Sequence, residues 1–366
     1  MLDRMEFKIS LDGDDLSRFR VGFEDSLGRI LREDLCVGCG SCVASCPLGC
    51  LEYADGKPVL IGDCISCGVC SRVCPRYERS VGEIERFIFG RERMSREEFG
   101  VYRRVCIART RLNEVRMRCQ DGGVVTTLLL YALEDGLIDG AVVSGFCGDE
   151  PLRAFPMLAK SRDEILSSAG TRYAYSPNLL ALRDAVSHDC RRIAFVGVPC
   201  QIEALRMIQI LPVERYAERL SFAVGLFCSG CFSYDSLAEM LRDLLGLNPN
   251  DALRVRIKGE IAVSTVHGDE RHVSLRDAKG YFRRCNLTCT DFSAELADIS
   301  VGGIGLEGWT VTVLRSSVGE GLFDDAASRG LLEVRDADME TIRLLVRASR
   351  RKRRIATSNL RRLGHS

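Results

Sequence analysis

Eight cysteines between Cys36 and Cys74 follow one pattern written twice: Cys36-x2-Cys39-x2-Cys42-x3-Cys46-Pro47 and Cys64-x2-Cys67-x2-Cys70-x3-Cys74-Pro75. Four thiols at that spacing, closed by proline, form the bacterial [4Fe–4S] ligation run, and in two-cluster versions the fourth cysteine of each run serves the other cluster. The spacing assigns Cys36, Cys39, Cys42 and Cys74 to one cubane and Cys64, Cys67, Cys70 and Cys46 to a second. Small residues between the thiols (Gly38, Gly40, Ser41, Ser66, Gly68) let the backbone curl close to the sulfides, and the proline turns the chain away. A zinc ribbon lacks the third close cysteine, and a disulfide framework does not account for two identical runs. The chemistry is single-electron transfer.

Five more cysteines return late. Cys200 follows the apolar run Ile193–Val198, Cys228 and Cys231 follow Phe222–Phe227, and Cys285 and Cys289 bound a short segment after Arg284. Ends of neighbouring strands in an α/β sheet meet on one rim, where ligands bind. Four or five thiols there could hold a third [4Fe–4S] cluster; the alternative is unliganded buried cysteine, a common core residue. Cys50, Cys106, Cys119, Cys147 and Cys190 stand alone and read as structural.

Two small-residue turns could receive a cofactor. Arg118-Cys119-Gln120-Asp121-Gly122-Gly123 precedes a helix opening Val124-Val125-Thr126-Thr127, and Ala169-Gly170-Thr171-Arg172-Tyr173 joins a turn to a cation and a ring. Glycines at a helix start permit close backbone approach, and the free N–H groups there suit a phosphate. Each turn taken alone is equally a packing feature. No G-x-G-x-x-G follows a strand, so no nicotinamide site of the Rossmann type is expected.

More than one domain must carry these groups. A length of 366 residues predicts two or three domains. With 46% apolar and 28% charged residues the composition is that of a soluble globular protein, and 51 basic residues balance 51 acidic ones, so net charge selects no partner. The opening MLDRMEFKISLDGDD lacks an apolar secretory core, and no apolar run approaches the roughly 20 residues that span a bilayer. A cytoplasmic location without direct membrane insertion is expected, although a partner could bring the chain to a membrane. In that setting the 18 cysteines read first as candidate metal ligands and only second as disulfides. Only four histidines are present, so imidazole chemistry is not central.

Residues 1–33 read as a polar extension with a turn at Asp12-Gly13-Asp14-Asp15 and a short helix over Phe23–Arg32, either a lid on the cysteine module or a docking arm. Residues 34–80 are the 2[4Fe–4S] module, with a hairpin at Asp55-Gly56 between its runs. Residues 81–104 are a charged linker with one short helix. Over 105–330, strands at Val105–Ala108, Ala141–Gly145, Ile193–Val198, Phe222–Phe227, Arg254–Ile257, Ile299–Val301 and Thr310–Leu314 alternate with helices. The helices are Val124–Glu134, Asp163–Ser168, Asn178–Val186, Gln201–Ile210 and Ser236–Leu245. The fold class is therefore an α+β module followed by an α/β domain with a largely covered sheet. Ser161-x-x-Glu164 reads as a capping box. Residues 331–366 end in a basic helix: nine Lys/Arg and no acid follow Thr341, with Leu344, Leu345, Ala348 and Ile355 at helical spacing. It is a solvated helix or a surface for a polyanion or a partner protein; nucleic acid is not expected, because no fold for it is present.

In this order the motifs resemble the family of coenzyme F420 hydrogenase/dehydrogenase beta subunits, whose cofactor is a deazaflavin. The segments that carry the resemblance are QDGGVVTTLLLYALEDGLIDGAVV (120–143), SAGTRYAYSP (168–177), IAFVGVPCQIEALR (193–206), GLFC (225–228) and CTDFSAELADISVGGIG (289–305). The resemblance implies an FAD held by Gly122, Gly123, Thr126 and Thr127 and by Gly170, Thr171, Arg172 and Tyr173, where the family usually has Ser-Lys-Tyr. It also implies a [4Fe–4S] cluster on Cys200, Cys228, Cys285 and Cys289. The last pair is spaced C-x3-C rather than the usual C-x2-C, which makes Cys231 a candidate substitute. Lys258, Arg283 and Arg284 are the cations expected to meet the anionic deazaflavin. A two-cluster ferredoxin module ahead of a beta domain resembles the input component of reduced-F420 dehydrogenase complexes.

The implied activity is that of an oxidoreductase in which reduced F420 gives a hydride to FAD and electrons leave singly, through three clusters, to an accepting subunit or ferredoxin. Hydride transfer needs rings at contact distance rather than a general base, so no catalytic side chain is singled out. The same layout serves a ferredoxin-dependent reductase of F420 or another conjugated substrate. It also serves the beta component of an F420-reducing hydrogenase, formate dehydrogenase or heterodisulfide reductase complex. Sequence leaves the direction open, because surroundings set the potentials. The rival outside catalysis is an electron-transfer adaptor whose flavin site has lapsed.

Overall fold

The computed structural model describes residues 21–78, 80–147, 150–211 and 213–363, so the expected turn at Asp12–Asp15 lies outside the described residues. The first strands, β1 (Leu51–Ala54) and β2 (Lys57–Leu60), form the expected hairpin. Asp55 and Gly56 at its tip both have positive φ, 50° and 77°, as a tight two-residue turn between twisted strands requires.

The remaining strands are β3 (Arg104–Thr110), β4 (Gly140–Cys147), β5 (Glu150–Ala159), β6 (Ile193–Gly197), β7 (Leu220–Leu226), β8 (Ala252–Lys258), β9 (Glu260–Thr265), β10 (Glu270–Ser274), β11 (Ile299–Gly302), β12 (Thr310–Leu314) and β13 (Leu332–Asp336). Eight of them make a mixed sheet in the order β13-β3-β12-β11-β7-β6-β4-β5. Its centre, β11-β7-β6-β4, is parallel, and both flanks are antiparallel. The edge strands suit their place: β5 contains Pro156, which an edge tolerates, and most of β13 is exposed. Arg254–Ile257, expected with the other strands, lies in β8 of a separate antiparallel sheet, β10-β9-β8. The hairpin turn at Gly259 (φ 79°) pairs β8 with its sequence neighbour, and the helix Tyr234–Leu245 packs on this unit through Leu237, Met240 and Leu241.

Helices cover both faces of the large sheet. On one face the helix Val124–Glu134, whose limits match the expectation, packs Leu128 and Leu129 beside Phe323 of the helix Ser317–Ser328. On the other, Leu182, Ile202 and Leu205 from Leu182–Ser187 and Pro199–Ile210 meet Phe195 of β6. That second core also contains Val37, Cys39, Ala44 and Val73, so the cysteine module is seated against the helical layer. The helix Phe23–Arg32 closes the module's own core with Phe23, Leu27 and Ile30 against Cys42, Cys46 and Cys70, which is the lid arrangement. Ser161 and Glu164 form the capping box at the start of Arg162–Ser167. Among the described residues no helix is long and apolar enough to cross a membrane.

The basic segment is one long helix, Met339–Arg362, started by Asp338, whose carboxylate accepts the Thr341 N–H at 2.7 Å. Thr341, Leu345, Ser349 and Ala356 form its buried stripe; Ile355, expected on that face, is 42% exposed. One cation ties the linker to the sheet. Arg315, 1% exposed, donates to the carbonyls of Phe99 and Val101 at 2.9 Å, to Ser293 O at 3.2 Å and to Ser300 Oγ at 2.6 Å. Burial lowers its pKa to about 10, and it stays protonated at neutral pH. Replacing it strands several buried carbonyls, so Arg315→Met should destabilise the fold by about 3–5 kcal/mol. A denaturant midpoint equal to wild type at the same slope would refute this role.

Candidate functional site

The two cysteine runs cross over. Cys36, Cys39, Cys42 and Cys74 stand within electrostatic reach of one another, while Cys46, Cys64, Cys67 and Cys70 line one cavity with Phe23 and Gly68. Each fourth cysteine thus joins the other run's three. Gly40 (φ 82°) and Gly68 (φ 70°) make this possible, because each starts the short helix that presents Cys42 or Cys70 from a left-handed backbone. A Cβ on Gly40 would also lie 2.7 Å from Leu180.

Burial pushes Cys36 and Cys70 up to about 11 and raises Cys39, Cys42 and Cys74 as well. Without iron these sulfurs are neutral thiols at pH 7; a cation bonded to them is what supports the thiolate form. Among the described residues no three His, Cys, Asp or Glu side chains draw close enough to hold a single metal ion. A cubane spreads its four thiolates over a wider frame, and the two groups fit it. Cys50, read as isolated, lines the same cavity as Cys46, with the sulfurs 3.4 Å apart. Cys106 and Cys190 are buried in the core, as expected.

The late cysteines also converge. β6 and β7 are parallel neighbours, so the turns after them open on one rim, where Cys200 and Cys228 meet. Cys289 reaches both, and Cys231 and Cys285 stand beside Cys228. A single helical turn, Arg284–Thr288, carries Cys285 and leads into Cys289. The Cys231 thiol faces Asn286 Oδ1 at 3.6 Å, and burial raises Cys200, Cys228 and Cys231 alike. This group adjoins the first: Cys200 senses Cys39, and Cys36 senses Cys285.

Three cations surround the rim, two of them missed from sequence. Arg76 donates to Thr288 O at 3.3 Å, while its buried Nε and Nη2 lack partners and the nearest anionic groups are Cys289, Glu203 and Cys200. Lys352, on the C-terminal helix, donates to the Cys228 carbonyl; burial opposes its charge, but Cys228, Cys289 and Asp291 outweigh that and raise its pKa. Arg283, expected to meet the substrate, is spent between modules. It donates to Val37 O at 2.9 Å and lies 4.1 Å over the Tyr175 ring, because the turn that carries Cys285 points it at the cysteine module. Arg284 beside it is exposed. Lys258 ends β8 and pairs with Asp121 at 2.8 Å.

The two small-residue turns do meet. Gln120 Nε2 and the Ile257 N–H both donate to Tyr173 Oη, at 3.3 and 3.1 Å. Gly122, however, donates its N–H to Thr310 Oγ1 at 3.0 Å and accepts from the Thr110 N–H at 2.6 Å, so these groups are not free for a phosphate. Thr127 is fully buried and its hydroxyl bonds Gly123 O and Thr110 Oγ1, which corrects its expected cofactor role to an anchor of the turn. Gly123, at φ 71°, starts the helix, Thr126 is 7% exposed one turn in, and Thr171 is exposed.

Arg172 suits an anion. Its guanidinium stacks 3.4 Å over Phe146 and donates to the carbonyls of Ala169 and Gly170, while its buried Nε lacks a partner. Burial alone lowers its pKa to about 10, and no carboxylate balances it among the described residues. A desolvated cation held only by carbonyls fits a phosphate-bearing cofactor. From this turn the chain runs straight to the late cysteines. Tyr173 O and the Tyr175 N–H bond Phe232 at 3.0 and 2.9 Å, and Tyr175 Oη lies 3.9 Å from Cys200 Sγ.

A cysteine module of the 4Fe–4S type seated on a covered α/β sheet defines an iron–sulfur protein. Comparison with known proteins narrows this. The families describing the N terminus and the C terminus of the coenzyme F420 hydrogenase/dehydrogenase beta subunit match residues 105–183 and 190–340, and a 4Fe-4S binding domain matches 30–52. The chain belongs to the family of coenzyme F420 hydrogenase/dehydrogenase beta subunits. It is 35% identical over 268 residues to the coenzyme F420 hydrogenase subunit beta of Methanothermobacter thermautotrophicus, covering 71% of this chain and 95% of that one. It is 30% identical over 315 residues to one of the subunits of the F(420)H(2) dehydrogenase of Methanosarcina mazei, covering 81% and 84%. Its fold superposes with TM-score 0.70 and 31% identity on a chain of the F420-reducing [NiFe] hydrogenase complex from Methanosarcina barkeri, covering 74% and 95%.

The crossover has a direct test in iron content. Cys36→Ser with Cys74→Ser should lose no more iron than either alone, whereas Cys36→Ser with Cys46→Ser should lose two clusters' worth. The opposite pattern would show that each run serves itself.

Proposed function

We propose that this chain is an iron–sulfur flavoprotein that oxidises reduced coenzyme F420 and passes the electrons singly to a partner subunit or carrier. The observation that carries the reading is the short span from Tyr173 in the cleft to Tyr175 against Cys200, with Cys200 next to Cys39 of the first group. FAD in the cleft supplies the change from hydride to single electrons, and three [4Fe–4S] clusters supply the path.

The chain's own groups have separable tasks. Arg172 offers a desolvated cation to the cofactor phosphate. Tyr173, pinned by Gln120 and Ile257, orients the cleft wall. Exposed Arg284 is the cation left for an anionic substrate, and Lys258 would reach one only by sharing its ammonium with Asp121. Cys200, Cys228 and Cys289 with Cys285 or Cys231 hold the third cluster. Arg76, Arg283 and Lys352 offset its negative charge, which favours the reduced state. The names of the relatives support an F420-linked reaction; because one of them is an F420-reducing complex, the same path run towards F420 is the second reading.

Anaerobic purification followed by addition of reduced F420 and a viologen dye tests the proposal. About twelve irons and one FAD per chain, with dye reduction, are expected. About eight irons with no deazaflavin turnover would overturn it. Arg172→Ala should weaken FAD binding on the order of tenfold, about 1.4 kcal/mol, with iron content unchanged. Flavin retention equal to wild type would remove Arg172 from the site.

A further inference from the structure

We infer that the outer face of the C-terminal helix is a docking surface for a small acidic electron-carrier protein that exchanges single electrons with the late-cysteine cluster, a second port beside the path through the Cys36 and Cys46 groups. The inference rests on the proposed function, in which these cysteines hold a cluster. The family match ends at residue 340, so the helix Met339–Arg362 lies almost wholly beyond it.

Its inner face sits on the cluster loops. Lys352 donates to the Cys228 carbonyl, and Asn359 donates to Leu287 O at 3.0 Å, between Cys285 and Cys289. The outer face is an arginine stripe. Arg343, Arg347, Arg351, Arg354, Arg361 and Arg362 follow one another at steps of four, four, three, seven and one, which keeps them on one side of a helix. None of them makes an ion pair among the described residues; Arg350 and Arg353 alone on this helix reach Glu98 and Glu295. Like charges one turn apart repel, so the stripe costs stability and is not explained by packing.

A helix with its side chains is about 10–12 Å thick. A carrier seated on the stripe therefore lies about one helix from the Cys228 rim, and an electron crosses without any bond or proton moving. The flank of the stripe identifies the class of partner. Ile355, 42% exposed, lies one turn before Asn359, which bonds the carbonyl of Leu287, itself 53% exposed. An apolar spot edged by arginines has the anatomy of a protein interface, where Arg is enriched, whereas a nucleic-acid backbone offers nothing for Ile355 to pack on. Because the whole chain is electrically balanced, the stripe is a local field that steers an acidic partner to this place.

The test uses the full, anaerobically loaded chain and an acidic two-cluster ferredoxin as probe, with Arg351, Arg354, Arg361 and Arg362 all replaced by Gln. Ferredoxin binding on an optical biosensor and stopped-flow ferredoxin reduction should both fall at least about tenfold at low salt and lose their salt dependence. Iron content and turnover with viologen, a small cation that needs no docking site, should match the parent. The exposed Arg191→Gln serves as control and should leave binding unchanged. Ferredoxin binding and its salt slope unchanged in the fourfold variant would overturn the inference, as would tight salt-dependent binding of a DNA or RNA duplex with none of ferredoxin. A parent that binds ferredoxin through these arginines but does not turn over F420 would leave the docking surface standing and remove the proposed reaction instead.

Discussion

Burial of sulfur governs this structure. A thiol taken out of water resists ionisation, and burial is the first cause that raises Cys200, Cys228 and Cys231 on the rim and Cys36 in the cysteine module. Only a strong local cation reverses that preference, and the segment that holds Cys36, Cys39, Cys42 and Cys46 matches a 4Fe-4S binding domain. The same constraint explains the guanidinium and ammonium groups gathered at the rim. Arg76 keeps two buried nitrogens unpartnered, and Lys352 is drawn from a distant helix to the Cys228 carbonyl. These cations make little sense beside neutral sulfur and good sense beside a negatively charged centre.

Arg283 shows how a single side chain can join two modules. Its donation to Val37 and its stacking on Tyr175 clamp the cysteine module to the segment that leads back to the cleft. Gly38 has to be glycine for this, since a Cβ there would lie 2.8 Å from the Arg283 guanidinium and 2.4 Å from the Gly56 carbonyl. Val37, Cys39, Ala44 and Val73 then share a core with the sheet's helices, which holds the first cysteine group at a constant distance from the late one. Constant separation is what a chain of redox centres needs, and a loose linker would not provide it.

The two small-residue turns are organised differently, by hydrogen bonds that involve the backbone. The Gly122-Gly123 turn is stitched to β3 and β12 through Thr110 and Thr310, so it is a rigid floor rather than an open cradle. Arg172 supplies the unbalanced charge.

Much of this was legible in the amino-acid order because the chemistry is local. The Asp55-Gly56 hairpin, the helix Val124–Glu134 and the capping box at Ser161 depend on residues a few positions apart, and each was found where the spacing placed it. Periodicity also revealed the basic helix but misjudged its buried side, since Ile355 turned outward while Ser349 and Ala356 turned in. What needed the tertiary structure were the groups that act across long separations. Arg76 and Lys352 lie 276 positions apart in the chain and flank one rim. Arg283 looked like a free cation and is a clamp; Thr127 looked like a ligand donor and is a strut. A cation's role is set by whichever charge lies within a few ångströms of it, and only the folded chain decides which charge that is.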